Sequence, residues 1–163
     1  MMLLEKLTGF LNKILVWLAG VFLTGMILLT CMNIFTRLVW IPIKGTFELM
    51  GFFGAIVAAF ALGYTQVGKG HIAVDVLVNR FSLKTRTIVG VINNTVCCLF
   101  FIIVSWQIAV KAETLWRTGE VTETLRIIYY PFTSLVALGC AVLALVLLLD
   151  ILKMVFPQKE VEN

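Results

Sequence analysis

Four uninterrupted apolar stretches, about Ile14 to Phe35, Phe47 to Val67, Thr87 to Val110 and Pro131 to Phe156, constrain this chain more than anything else in it. At about 1.5 Å of rise per residue, each would reach or exceed a hydrocarbon core of roughly 30 Å as a helix. Composition agrees: 61% of the 163 residues are hydrophobic and 13% charged, with mean hydropathy +1.03. Soluble domains run roughly 45–50% apolar and about 25% charged. The expected fold is therefore an all-α integral membrane protein with four transmembrane helices. Three prolines, no Ser/Gly-rich linker and no internal repeat predict a single membrane domain over residues 1–163, without a soluble appendage. Lys6 and Lys13 precede the first run as in a secretion signal. The run is too long for one and no A-x-A-like cleavage site follows, so it reads as a retained anchor.

The net charge is +4. In so apolar a chain, basic residues set orientation between helices, and nothing supports nucleic acid as a partner. With the N-terminus in the cytoplasm, Lys6, Lys13, Lys69, Arg80, Lys84, Arg86, Lys153 and Lys159 lie inside. Arg37, Lys44, Lys111, Arg117 and Arg126 lie outside, and eight against five predicts both termini cytoplasmic. Asn12 and Gly119 then fall on opposite faces. Trp40, Trp106, Trp116, Tyr129 and Tyr130 gather near the outer face as interface aromatics do. The stretch KAETLWRTGEVTETLR, residues 111–126, is expected to be an outer loop of mixed charge suited to docking.

Cys31, Cys97, Cys98 and Cys140 all fall in spans without a C-x-x-C, which predicts packing thiols and neither redox exchange nor zinc. A single histidine does not supply the facing pairs of a membrane haem. No cofactor is expected. His71 follows Gly68, Lys69 and Gly70, and Ile72 to Phe81 is mostly apolar with Asp75 and Asn79 four apart. A short interfacial helix between helices 2 and 3 fits this pattern. Gly70, His71 and Asp75 read as a structural turn, ahead of a subunit contact and of a proton-relay or metal role.

Polar residues within spans are costly unless they face protein or water. Glu48 opens the second helix, and Gly51, Ala55, Ala59 and Gly63 follow at intervals of four, the spacing that lets another helix approach closely. Either this chain's own helices or a partner could occupy that face, and Glu48 is expected to pair at the rim. Asn93 and Asn94 are candidates for bonds between helices, with Asn94 on one face with Cys98, Phe101 and Ser105. Asp150 and Lys153 are expected to pair locally. No span carries an acid near its centre, and none is interrupted by a Gly/Pro break that would mark a midplane substrate site.

The block GTFELMGFFGAIVAAFALGYTQVGKGHIAVDVL, residues 45–77, resembles the signature region of the DctQ-type small membrane subunit of tripartite ATP-independent periplasmic (TRAP) transporters. In that family an acid begins helix 2 and a G-H-I-x-V-D-like sequence ends it, matched here by Glu48, Gly70, His71, Ile72, Val74 and Asp75. TETLRIIYYPFTSLVALGC is similar to the family's entry into helix 4. The sequence differs from the usual pattern where Phe47 precedes a single acid and where Ile128 replaces a proline. The resemblance implies a subunit in the inner membrane of a bacterium or archaeon that pairs with a large membrane subunit carrying the substrate and sodium sites. It further implies a periplasmic substrate-binding protein delivering an organic acid. Residue reading alone leaves two other classes open, a self-sufficient small four-helix transporter and a purely structural membrane adaptor. The transporter would hold an acid well inside helix 1, where this chain has none. An enzyme would need paired outer cysteines or several histidines.

Overall fold

A computed structural model describes residues 2–39, 41–68 and 83–155. Four helices account for nearly all of them: α1 Met2–Val39, α2 Thr46–Val67, α3 Leu83–Thr118 and α4 Tyr130–Val155. All four are long and apolar enough to cross a membrane. The expected interfacial helix, with Gly70, His71 and Asp75, lies outside the described residues.

The helices outrun the apolar stretches. With 38 and 36 residues, α1 and α3 are about 57 and 54 Å long, well beyond a roughly 30 Å core. Hydropathy marks where lipid begins and ends, whereas a helix continues while its residues propagate it. Residues 2–13 extend α1 below the first apolar run, and residues 111–118 extend α3 above the third. The first half of the expected outer loop is therefore helix, ending at Gly119 with φ 64, a left-handed conformation suited to glycine.

The helices α1 and α2 pack together, α2 packs on α4 and α4 on α3, with a smaller contact between α1 and α4. Half of α4's most apolar window is buried, against 11% for α1 and α3, so α4 is the central helix. One core cluster joins Leu15 and Ala19 of α1, Ile56, Ala59 and Phe60 of α2, and Val142 of α4. The other joins Cys98 of α3 to Leu143 and Leu147 of α4. Lipid tails are as apolar as leucine, so such interfaces depend on close packing and bonds between helices. Gly139 provides the closest packing: a Cβ there would sit 2.8 Å from the Ala59 carbonyl oxygen.

The expected face of α3 makes the expected bonds. The Ser105 hydroxyl donates to Ala137 O at 3.0 Å, Cys98 Sγ lies 3.5 Å from Ala144 O, and Asn94 Nδ2 lies 3.8 Å from Met154 Sδ. Asn93 is exposed instead. Threonine hydroxyls within the spans donate to carbonyls one turn back, as Thr24 does to Gly20 and Thr65 to Ala61, which satisfies them without a partner helix.

Lys153 Nζ reaches Glu5 Oε1 at 3.2 Å, so the start of α1 and the end of α4 share one end of the bundle, here the terminal end. The α1–α2 connection and the α3–α4 connection occupy the opposite, loop end.

Candidate docking site

At the loop end, α2 starts from a tightly specified turn. Asn33 Oδ1 accepts the Ile43 N–H at 2.9 Å, and the Thr46 hydroxyl donates to Ile43 O at 2.8 Å. Gly45, the residue before the helix, has φ 76, and the space a Cβ would fill is taken by the side chain of Leu125. A glycine is required there twice over, by conformation and by volume.

Leu125 belongs to a small hairpin between α3 and α4. Val121 and Ile128 form an antiparallel bridge, Thr122 N donates to Ile127 O at 2.9 Å, and the buried Thr122 hydroxyl accepts the Ile127 N–H at 3.1 Å. Arg126 turns the tip with φ 53, which few non-glycine residues adopt. Glu48 closes the assembly: Oε1 accepts the Thr124 N–H at 2.8 Å and Oε2 accepts that of Leu125 at 3.1 Å. Its carboxylate also sits in the first turn of α2, where the helix dipole favours negative charge. Glu48 thus finds its rim partner within this chain. Glu120, Glu123 and Arg126 remain exposed on the hairpin, a short surface of mixed sign.

The small-residue stripe of α2 divides. Successive members rotate by about 40° around the helix, because four residues at about 100° each overshoot one turn. Ala59 and Gly63 are buried in this bundle, Ala59 against Gly139 and Gly63 against the Asn12 side chain and Val142. Gly51 and Ala55 are exposed, and a Cβ on Gly51 would meet nothing within 4 Å. With exposed Phe47 and Ala58 they leave the loop-end half of α2 uncovered on one side.

At the terminal end, Gln66 Nε2 donates to Asp150 Oδ2 at 2.9 Å, a bond from α2 to α4. Asp150 and Lys153 do not pair with each other as expected; each reaches a different helix, because at this end α4 borders both α2 and the start of α1. Asn12 is 3% exposed, with neither amide atom hydrogen-bonded, and its Oδ1 occupies the space beside the Gly63 Cα. A Cα–H···O contact is what that placement offers the oxygen.

Among the described residues no group of three His, Cys, Asp or Glu could hold a metal. All four cysteines are free; Cys98 and Cys140 are buried in the packing of α3 and α4 and Cys97 is partly buried, whereas Cys31 is exposed on α1 and so is not the packing thiol expected of it. Replacing the four together, with Ser at Cys98 to keep its donor and Ala elsewhere, is expected to leave a folded helical protein with thermal stability in detergent close to that of the unsubstituted chain. Loss of the folded protein in that variant would show that the thiols do more than fill space.

A family model described as tripartite ATP-independent periplasmic transporters, DctQ component, matches residues 26–156. No curated protein and no solved structure matches the chain.

Proposed function

The chain belongs to the DctQ component family of the tripartite ATP-independent periplasmic transporters, and from that premise we propose that it scaffolds a large transport subunit and helps dock a periplasmic substrate-binding protein. The family makes it a small membrane subunit of a transporter. The finer reading adds sodium-coupled uptake of an organic acid through the large subunit, an inner-membrane location, the loop end in the periplasm and both termini in the cytoplasm. Eight basic residues in the segments assigned to the cytoplasmic side, against five on the other, support that orientation.

One observation supports a scaffold over a carrier. Glu48 and Asp150 are the carboxylates of the α2 and α4 spans, and both are bound by donors of this same chain, close to opposite ends of the bundle. A carrier needs polar groups open to a substrate path near the midplane. Here these two carboxylates hold helices and a loop to one another. The large subunit then belongs on the free face of α2 at Gly51 and Ala55, where backbones can approach closely. The hairpin held by Glu48 faces the binding protein.

This assignment predicts that Gly51→Leu and Ala55→Leu leave the isolated subunit folded, since both positions are exposed in it, yet cut the large subunit co-purified in mild detergent. A drop of roughly tenfold corresponds to the 1–3 kcal/mol typical of overpacking. Co-purification at the unsubstituted level in both variants would place the partner elsewhere. Sodium-dependent uptake by the reconstituted complex with its binding protein tests the transport reading itself.

A further inference from the structure

A groove of about 750 Å³ runs along α1 from Lys13 to Leu28, with Tyr64 of α2 on its rim. Its floor is made by glycine: a Cβ on Gly20 would meet nothing within 4 Å, and one on Gly25 would meet only Phe53 at 3.7 Å. Apolar residues form the walls along most of its length. The end near Lys13 is different. There Lys13 and Trp17 of α1 and Tyr64 of α2 line the groove, three residues from two helices whose side chains all carry hydrogen-bond donors.

We propose that this groove binds one anionic phospholipid of the leaflet at the terminal end, its phosphate at Lys13 and one acyl chain lying along Gly20 toward Leu28. Charge selects the occupant. Among the described residues Lys13 pairs with no carboxylate: the nearby acids are engaged, Glu5 with Lys153 and Asp150 with Gln66. Lys13 is also exposed and is the last charged residue before the apolar run, so it stands at the depth of lipid phosphates. Tryptophan and tyrosine beside it suit the same level. Length agrees as well. Lys13 to Leu28 covers about 22 Å of helix, more than the roughly 15 Å half-thickness of a hydrocarbon core. A partner helix is the less suited occupant, because the lysine would have to be buried against it. Tyr64 also lies about 160° around α2 from the Gly51 and Ala55 face, at about 100° per residue. The lipid site is therefore separate from the face assigned to the large subunit, and the two assignments fail independently.

Native mass spectrometry of the full chain, titrated with phosphatidylglycerol or with zwitterionic phosphatidylcholine of the same acyl composition, tests the site. Phosphatidylglycerol is expected to be retained about fivefold more strongly, the effect of one lysine at an anionic lipid surface. Lys13→Gln should remove that preference without unfolding the chain, since Lys13 is exposed. Gly20→Leu, which fills the floor, should weaken retention of both lipids, while inorganic phosphate should displace neither. Equal retention of the two lipids, or a preference unchanged in Lys13→Gln, overturns the proposal. So does displacement by phosphate, or a photocrosslinker at Trp17 that captures protein rather than lipid in the intact complex.

Discussion

Gly139→Ala is expected to destabilise the subunit and Gly139→Leu to leave little of it folded. A Cβ at Gly139 falls 2.8–2.9 Å from the carbonyl oxygen, carbonyl carbon and Cβ of Ala59, atoms that cannot move without moving α2 itself. Overpacking of this kind costs about 1–3 kcal/mol, against a gain of about 1 kcal/mol from replacing glycine with alanine inside a helix. The contact wins because its neighbours are backbone, which has no alternative rotamer. Shifting α2 would also pull Phe52 from its stack on Phe132, with centroids 4.3 Å apart, and Gln66 from Asp150. Gly90→Ala supplies the control: its Cβ would meet only Met154 at 3.6 Å, an ordinary contact with a flexible side chain. Thermal unfolding in detergent should show Gly139→Ala below the unsubstituted protein and Gly90→Ala at or above it. Equal stability of the two variants would mean that α2 and α4 do not meet as closely as described.

How much of this was legible in the sequence depended on distance along the chain. Helix number, the shared end of the two termini and the adhesive face of Asn94, Cys98 and Ser105 follow from length and from the helical period, which are local quantities. The pairings were not. Gln66 and Asp150 are 84 positions apart, and Glu48 lies 76 from Thr124, so no spacing rule connects them. Asp150 and Lys153 illustrate the error this invites: three apart, they suggested a local pair, yet each is used to tie α4 to a different helix. Asn12 shows a second limit. It precedes the first apolar run, which places it at a membrane face, and nothing local shows that the extended α1 buries it against Gly63. The divided stripe is a third case, since equal spacing by four hides the rotation that carries Gly63 into the core and leaves Gly51 outside. Gly45, by contrast, carried a signal that could have been found: a glycine directly before a helix with an acid in its first turn marks a specified entry.

The second large effect is expected at Glu48, in the loop rather than in assembly. Each carboxylate oxygen takes one backbone N–H of the hairpin, so the two sides of the contact are acceptor pair and donor pair. Glu48→Gln keeps one acceptor and turns an amide N–H₂ toward the second donor, and so should loosen one half of the contact. Glu48→Ala removes both acceptors. Glu48→Lys goes further, placing a cation among N–H groups and at the positive end of the α2 dipole. Release of Thr124 and Leu125 also frees the Leu125 side chain from its seat over Gly45, so the hairpin loses its polar and its apolar hold together. Hydrogen exchange at the Thr124 and Leu125 amides should accelerate in the order Gln, Ala, Lys, by about an order of magnitude or more for Lys, as local opening replaces protection. The large subunit should still co-purify with Glu48→Lys, because Gly51 and Ala55 are untouched, while uptake that depends on the binding protein should fall. Unchanged exchange in Glu48→Lys would show that the hairpin stands without the carboxylate. Loss of the large subunit with the hairpin still protected would instead return Glu48 to the interface between subunits.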